Sequence, residues 1–360
     1  MASIIDYVTQ GGRIFLISLK NRLFKKKYDG TASEICTKIV KDCWNGRYFQ
    51  TSTGNFPQFW TRDFGWCTQS LIKLGFEKEV HKTLRYAVNN FKKYNKIAVA
   101  LTPNGKAFDF PTTAVDSLPW FIHSIKISKF PYHSIRPFLN LQIKKFYSDI
   151  INPQTGLVKP EINFSSIKDL AVRKSSCYDN TMVAMLANDL KGMKLYNPFN
   201  KFDYADLIKR HFWNGRFFYD DLQKKDYVAG DANLFPFLLG IISDKEMMQK
   251  TIEAIENERL DEPFPLKYTS SRKGINFGWE EMFLRNYESS AIWMHTGPLY
   301  IKLLQRIDVK KARKHKKTYG TIIEKHGNFL EVFNENGKPF STPFYYCDSG
   351  MLWAANYLTL

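Results

Sequence analysis

Two kinds of segment alternate along the chain. The first kind is Lys-rich, with apolar residues three and four positions apart, as in Glu77 to Asn95, Ser134 to Ile150 and Asp244 to Leu260. This spacing predicts helices that bury one face and expose the other. The second kind is apolar nearly all round and begins at an acidic residue. A helix of that composition has to be covered on most sides.

The acid-led apolar segments occur six times, beginning at Asp63, Asp116, Asp179, Asp231, Glu288 and Asp348. Neither kind of helix can bury its apolar surface alone, so a regular repetition indicates stacked helical hairpins. Six inner helices surrounded by six amphipathic ones predict an all-α fold, an (α/α)6 toroid. The β-α alternation of a parallel sheet is absent from the sequence pattern.

Two dipeptides predict short β-hairpins in the loops, Asn104-Gly105 and Asn336-Gly337, because such pairs favour tight hairpin turns. The toroid is predicted to be one domain of residues 30–360, preceded by a basic segment of residues 1–29. A dozen helices and their loops account for that length, so no second domain is expected.

Composition limits the class of protein. The chain has 360 residues, 44% hydrophobic and 24% charged, which is typical of a globular protein. Lys20, Arg22 and Lys25 interrupt the apolar run near the N-terminus, and no stretch reaches the ~20 apolar residues of a membrane span. We therefore expect a cytoplasmic protein. The five widely spaced cysteines and seven histidines form no metal-ligand motif, so neither a metal nor another cofactor is expected.

The net charge of +17 has more than one interpretation. The densest basic runs, Lys20 to Lys27 and Val309 to Gly320, lack the interleaved aromatic residues of a single-strand groove, so nucleic acid is not expected as a partner. A solvated basic face is the simplest interpretation. Weak attraction to an anionic membrane surface or an anionic substrate stays open. The sequence allows a monomer or a homodimer.

The six acidic residues should converge at one end of the toroid, because all inner helices run in the same direction. Each could be only a helix cap, since Asp is favoured there. Capping does not explain the tryptophans at or near the same openings, which are Trp60, Trp66, Trp120, Trp279, Trp293 and Trp353. Carboxylates bind hydroxyl groups, and sugar C–H faces stack on aromatic rings. This end of the barrel is therefore predicted to bind carbohydrate.

Five segments resemble the six-hairpin glycosidases, in particular the catalytic barrels of glycogen-debranching α-1,6-glucosidases, glucoamylase-like enzymes and processing α-glucosidases. They are FWTRDFGWCTQSLIKLG from Phe59, TTAVDSLPWFI from Thr112, SSCYDNTMVA from Ser175, YESSAIWMHTGPLYIKLL from Tyr287 and LEVFNENGKPFSTPFYYCDSGMLWAANYL from Leu330. In this order they cover most of the chain from about Tyr28. The chain departs from the family patterns at Cys177, Met294 and Ala354, where the family has Gly, Pro and Ser.

The resemblance implies a glycoside hydrolase that removes a terminal sugar, and it favours an α-linked glucose. It makes Asp179 the general acid and Glu331 the general base, while Arg62 and Asp63 hold the hydroxyls of the terminal sugar. Asp179 opens the third inner helix and Glu331 precedes the sixth, so we expect the two carboxyls to face each other across the barrel axis. A water molecule fits between such carboxyls, which predicts an inverting mechanism.

Further substrate-binding residues are predicted at the same end, namely Trp60, Asp116, Trp120, Glu280, Glu288 and Trp293. Glu280 is also the alternative acid, because a glucoamylase-like enzyme could draw its acid from GWEEMFLRNYE. The expected partner is an oligosaccharide or a small glycoside. Two other classes stay open: a sugar epimerase or polysaccharide lyase of the same shape, and a carbohydrate-binding protein without catalysis. Such epimerases use pairs of histidines, whereas only His295 lies within an acid-led opening.

Overall fold

The computed structural model describes residues 12–13, 15–18, 22–23 and 26–360. The predicted basic segment, residues 1–29, therefore falls mostly outside the described residues. From residue 26 onward there are twelve α-helices: α1 (Ala32–Asp42), α2 (Thr61–Lys73), α3 (Glu77–Tyr94), α4 (Ser117–Ile127), α5 (Arg136–Ile150), α6 (Cys177–Met193), α7 (Tyr204–Phe212), α8 (Gly230–Leu238), α9 (Lys245–Asn257), α10 (Thr296–Leu304), α11 (Val309–His326) and α12 (Ala354–Leu358).

The even-numbered helices form a closed inner ring. Each of α2, α4, α6, α8, α10 and α12 packs against the next, and α12 returns to α2. The odd-numbered helices lie outside, where α11 packs against α1 and closes the outer layer. The (α/α)6 toroid predicted from the alternation is confirmed. In this ring α6 and α12 stand opposite each other, since each is three positions from the other.

Among the helices from residue 26 onward, side-chain caps begin four of the six outer helices and one of the six inner helices, α6. Asp203, Asp244 and Asp308 accept hydrogen bonds from the first turns of α7, α9 and α11, and α1 begins with a capping box of Thr31 and Glu34. These caps satisfy backbone N–H groups that have no partner in the helix. The inner helices α2, α4, α8, α10 and α12 have no side-chain cap. The carboxylates at their openings are therefore not there to cap them.

Short strands border one end of the toroid. Strands β1 (Phe59–Trp60), β2 (Ala100–Leu101) and β3 (Ala107–Phe108) form an antiparallel sheet, with Asn104-Gly105 in the turn between β2 and β3. Strand β4 (Ile292–Trp293) pairs with β5 (Val332–Phe333), and β5 continues into a hairpin in which Phe340 N–H donates to the Val332 carbonyl at 3.1 Å. Both predicted hairpins are confirmed.

Two of the six helix starts were predicted wrongly. Glu288 precedes α10 by a turn region and strand β4, and Asp348 lies in irregular chain ahead of α12. The reason is that both stretches pair with other segments before the helix begins: Trp293 N–H donates to the Leu266 carbonyl and Met351 N–H to the Phe329 carbonyl. No helix among the described residues is long and apolar enough to cross a membrane.

Candidate active site at the end of the barrel

A cavity of about 370 Å³ opens at the end of the toroid where the inner helices begin. This volume is typical of a site for a small molecule. Tryptophan, tyrosine and phenylalanine side chains form most of its wall. Five carboxyl groups line it as well, and they belong to Asp63, Asp169, Glu280, Glu288 and Glu331. The convergence of acids and aromatic rings predicted from the sequence is therefore present, with a partly different set of acids.

Glu331 lies in the loop between α11 and α12, just before β5. Its carboxylate accepts hydrogen bonds from the Tyr287 hydroxyl at 2.6 Å, from the Tyr345 hydroxyl and from the Asp348 backbone N–H at 2.9 Å. Burial and the nearby Asp348 carboxylate raise the pKa of Glu331 to about 7, although these hydrogen bonds oppose the rise. The result is a firmly held carboxylate on the pocket wall that can take up a proton near neutral pH.

Asp169 lies in the loop that leads into α6, and sequence reasoning missed it. Its side chain is 24% exposed, and its carboxylate accepts a hydrogen bond from the Ser165 hydroxyl and lies 3.8 Å from the Arg62 guanidinium. Burial raises the pKa of Asp169, while Arg62 and Ser165 oppose the rise. A partly open carboxyl with a raised pKa is suited to donate a proton. No motif in the sequence marks it.

Glu288 holds the loop that carries Asp169. Its two carboxylate oxygens accept hydrogen bonds from the backbone N–H groups of Asp169, Leu170 and Ala171 at 2.6, 2.7 and 2.9 Å. Burial and the Asp169 carboxylate raise the pKa of Glu288 to about 7. Glu288 was predicted to bind substrate, and it does line the cavity. Both of its oxygens are engaged with the loop, so its evident task is to fix the position of Asp169.

A buried ion cluster fixes the same loop from the other side. Lys168 lies 2.7 Å from Asp231 and 3.2 Å from Asp220, and Arg173 lies 3.2 Å from Asp231. Removing one partner from such a buried network typically costs about 3–5 kcal/mol. Asp231, predicted at the barrel mouth, is therefore a structural anchor beneath the pocket. Asp169 therefore lies in a short loop that is held both by Glu288 and by this ion cluster.

Asp179, predicted as the general acid, is not among the residues that line the cavity. It is the third residue of α6 and only 4% exposed. The Arg173 cation and the hydroxyls of Ser176 and Ser166 surround its carboxylate, whose pKa is nevertheless raised by burial. Asp179 is thus buried in the first turn of α6 among residues of the chain that leads into that helix.

Asp116 and Trp120, both predicted to bind substrate, meet at the hydroxyl group of Tyr178. Neither lines the pocket. Asp116 is fully buried, lies 2.9 Å from the Arg62 Nε atom and accepts a hydrogen bond from the Tyr178 hydroxyl. Trp120 Nε1 donates to the same hydroxyl at 3.2 Å. Burial raises the pKa of Asp116 to about 7, with Arg62 opposing it.

The remaining predicted residues do line the cavity. Arg62 pairs with Asp116 and Asp169 and not with its neighbour Asp63. Asp63 accepts a hydrogen bond from Trp353 Nε1 at 2.9 Å, and burial raises its pKa to about 6. It is therefore ionised at neutral pH and can bind hydroxyl groups. The other predicted residues on the wall are Trp60, Trp293, Glu280 and Glu288.

His295 lines the cavity and has a buried ring nitrogen without a hydrogen-bond partner. The Tyr268 hydroxyl donates to the Ile167 carbonyl at 3.0 Å, so it can only accept from His295 Nε2, 3.1 Å away. Burial lowers the pKa of His295 well below its usual value, so the ring is neutral. Nδ1 must then be unprotonated, and it has no hydrogen-bond partner. A buried polar atom without a partner is costly, so a ligand hydroxyl that reached Nδ1 would be bound favourably there.

Comparison with known proteins finds no family model that matches the sequence and no curated protein similar to it. Solved structures are similar in fold. A rhamnosidase from Klebsiella oxytoca with bound rhamnose has a TM-score of 0.62 at 9% identity, over 93% of this chain and 65% of its own. A bacterial glucoamylase with acarbose has a TM-score of 0.66 at 14% identity, over 90% and 54%.

A further similar structure is described only as a glycosidase. It has a TM-score of 0.63 at 10% identity and covers 97% of this chain and 96% of its own, and a variant of it was solved with glucose. The chain thus spans about two thirds of the rhamnosidase and half of the glucoamylase, but nearly the whole of this glycosidase. At these identities the likeness establishes the fold alone, an (α/α)6 toroid.

Proposed function

We propose that the protein is a glycoside hydrolase that removes a terminal sugar from an oligosaccharide or small glycoside by an inverting mechanism. The observation that carries this proposal is the pair of carboxyls in one aromatic cavity. Asp169 lies in the loop leading into α6 and Glu331 in the loop leading into α12, and these helices stand opposite each other in the ring. A sugar in the cavity would have one carboxyl on each side.

Asp169 replaces Asp179 as the acid in this mechanism. It protonates the glycosidic oxygen while Glu331 removes a proton from the attacking water, so that water displaces the leaving group in one step. Arg62 keeps Asp169 in place and presents its guanidinium to the cavity, and Asp63 binds hydroxyls of the sugar. The rigid hold on both carboxyls supports these roles, since catalysis depends on position before acidity.

Glu280 is the alternative acid. It lies on a short 3-10 helix, Trp279–Met282, at the mouth of the cavity. Among the described residues, no hydrogen bond or ion pair to the Glu280 carboxylate corresponds to those that hold Asp169 and Glu331. Asp169 is therefore the preferred acid, and replacement of Glu280 serves as the matched comparison.

An α-linked glucose is the proposed terminal sugar. The sequence resemblance supports it, as does the similarity in fold to a glucoamylase with acarbose and to a glycosidase whose variant binds glucose. The similarity to a rhamnosidase with bound rhamnose makes an α-rhamnoside the second candidate. Trp66, Trp293 and Trp353 on the wall offer apolar faces that either sugar ring can stack on.

Aryl α-glucosides, aryl α-rhamnosides and natural α-disaccharides should be screened for released monosaccharide, and the first-formed anomer followed by proton NMR. We expect release from an α-glucoside, with the β-anomer appearing first because a single displacement inverts the anomeric carbon. The Glu331→Gln variant is the control for contaminating activity. An α-anomer formed first would contradict inversion, and an isomerised or unsaturated product would instead support an epimerase or a lyase.

His295→Phe should raise KM and lower kcat/KM by about 10- to 100-fold for the best substrate of that screen. The replacement keeps an aromatic ring between Trp66 and Trp353 but removes the acceptor at Nδ1, and leaving a buried hydrogen bond unmade costs about 1–3 kcal/mol. His123→Phe is the matched control, since His123 pairs with Asp189 away from the cavity. An unchanged KM in a folded His295 variant would show that no ligand hydroxyl reaches Nδ1.

A further inference from the structure

Large apolar side chains are exposed mainly in two places. Near the N-terminus, Phe15, Leu16 and Leu23 are 44, 65 and 67% exposed. At the cavity mouth, four side chains that we call the mouth collar are 39 to 74% exposed, and these are Trp279, Met282, Phe283 and Phe344. Together they account for seven of the twelve exposed large apolar side chains among the described residues. Exposed apolar patches of this kind usually mark a surface that contacts a membrane or another protein.

The two places belong to one surface. The Arg22 guanidinium donates to the Ser341 hydroxyl at 3.3 Å and the Thr342 carbonyl at 2.5 Å, and the Ser18 hydroxyl donates to the Tyr346 carbonyl at 3.4 Å. The N-terminal residues thus dock on the loop that carries Phe344. The Phe344 ring lies 5.3 Å from that of Phe283, which lies 6.1 Å from that of Trp279. Trp279 and Phe283 in turn line the cavity.

The residues that face solvent near the N-terminus are helical where they are described, at 12–13, 15–18 and 22–23. Ser18 and Arg22 contact the domain, whereas the nearby side chains of Leu16 and Leu23 are largely exposed. Apolar side chains exposed beside such anchoring contacts form an apolar surface that the described residues leave uncovered.

The N-terminal sequence is strongly basic. Residues 7–28 include six Lys or Arg and no Asp or Glu. Lys26, Lys27 and Lys325 border one small surface depression where the N-terminal segment meets the end of α11. Arg285 is exposed beside the collar. Lys and Arg around exposed Leu and Phe are the signature of a segment that lies on a membrane surface.

We propose that the exposed side chains of Phe15, Leu16 and Leu23 and the mouth collar dock the protein on an anionic lipid bilayer, with the cavity opening toward the lipid headgroups. A second copy of the chain fits this surface poorly, because each copy carries a net charge of +17. A soluble glycan would be expected to meet hydroxyl, amide and carboxyl partners, and not Leu16, Leu23 and Met282. Membrane docking does not depend on the proposed hydrolase activity.

Co-sedimentation of the full chain with vesicles tests the docking surface. We expect binding to vesicles of equal parts phosphatidylcholine and phosphatidylglycerol, little binding to phosphatidylcholine alone, and loss of binding at high salt. The variant Leu16→Ser/Leu23→Ser/Phe344→Ser should bind at least tenfold more weakly, roughly the effect of withdrawing three apolar side chains from the interface. Tyr94→Ser/Leu141→Ser/Val309→Ser is the matched control, since those side chains are exposed elsewhere.

A second variant, Lys27→Gln/Lys325→Gln, tests the charge without touching the apolar residues. Each Lys near an anionic surface contributes roughly a fivefold gain in binding, so two replacements should weaken it about 25-fold. Circular dichroism and release of sugar from a soluble aryl glycoside verify that the variants remain folded. The proposal is overturned if the wild type stays in the supernatant with anionic vesicles, if it binds neutral vesicles equally well, or if the folded apolar variant sediments like the wild type.

Discussion

Asp169→Asn is expected to lower kcat for substrates with poor leaving groups by a factor on the order of 10²–10⁴, because an amide cannot protonate the departing oxygen. Glycosyl fluorides need no such protonation, so their turnover should change little. The amide is nearly the same size as the carboxyl and can still accept a hydrogen bond from Ser165. Steady-state kinetics with a natural glycoside and with the glycosyl fluoride measures the difference.

Two matched variants separate Asp169 from its competitors. Asp179→Asn tests the carboxyl buried beneath the loop, and Glu280→Gln tests the carboxyl at the cavity mouth. Both should keep most of the wild-type rate on the natural glycoside if Asp169 is the acid. A large leaving-group dependence in either of them, with Asp169→Asn close to wild type, would transfer the role of acid to that residue.

Glu331→Gln is expected to abolish turnover of natural glycosides and glycosyl fluorides alike, by at least a factor on the order of 10²–10⁴. Both substrates need an activated water, and a glutamine side chain cannot take its proton. The Glu331 carboxylate accepts hydrogen bonds from two tyrosine hydroxyls and one backbone N–H. In the glutamine variant an NH₂ group takes the place of one of its oxygens, and this group cannot accept such bonds. The measurement is the rate of hydrolysis of both substrates by the wild type and the variant at several pH values.

The pH profile of the wild type gives an independent reading of Glu331. The base acts only when ionised, and burial raises its pKa to about 7, so kcat/KM should fall as the pH drops below that value. Glu335→Gln is the control, because Glu335 lies on the same hairpin with its carboxylate on the Ser290 hydroxyl and does not line the cavity. If Glu331→Gln retained activity on the fluoride alone, Glu331 would be acting as the acid.

The architecture of the site explains why these two carboxyls differ from the other acids near it. Glu288 and the ion cluster of Lys168, Arg173 and Asp231 hold the loop of Asp169 from both sides. Glu331 is held by donors from two aromatic residues and one peptide group. Asp63 remains available to hydroxyl groups, with one oxygen on Trp353. A cavity built in this way positions a proton donor and a proton acceptor before any substrate arrives.

The sequence by itself determined the fold. Amphipathic and fully apolar segments alternate along the chain. Because the apolar spacing within each segment involves only residues that are close in sequence, the twelve helices and their assignment to two layers could be predicted. The two hairpins could be predicted from the dipeptides Asn104-Gly105 and Asn336-Gly337 alone. Trp60, Arg62 and Asp63 adjoin the start of α2 in the chain, and Trp293 shortly precedes α10, so helix prediction placed them near one end of the barrel. The three glutamates of the set lie in the longer loops before α10 and α12, and these are Glu280, Glu288 and Glu331; all seven residues line the cavity.

Only the tertiary structure decided which acids reach the cavity. Asp116, Asp179 and Asp231 open inner helices as Asp63 does, yet their side chains meet cations and hydroxyls from other segments beneath the pocket. Asp169 lies in a loop without periodicity, and its exposure depends on Glu288, 119 residues further along the chain. Helix position is set by neighbours within a few residues, whereas the direction and burial of a carboxyl are set by residues that only folding brings together.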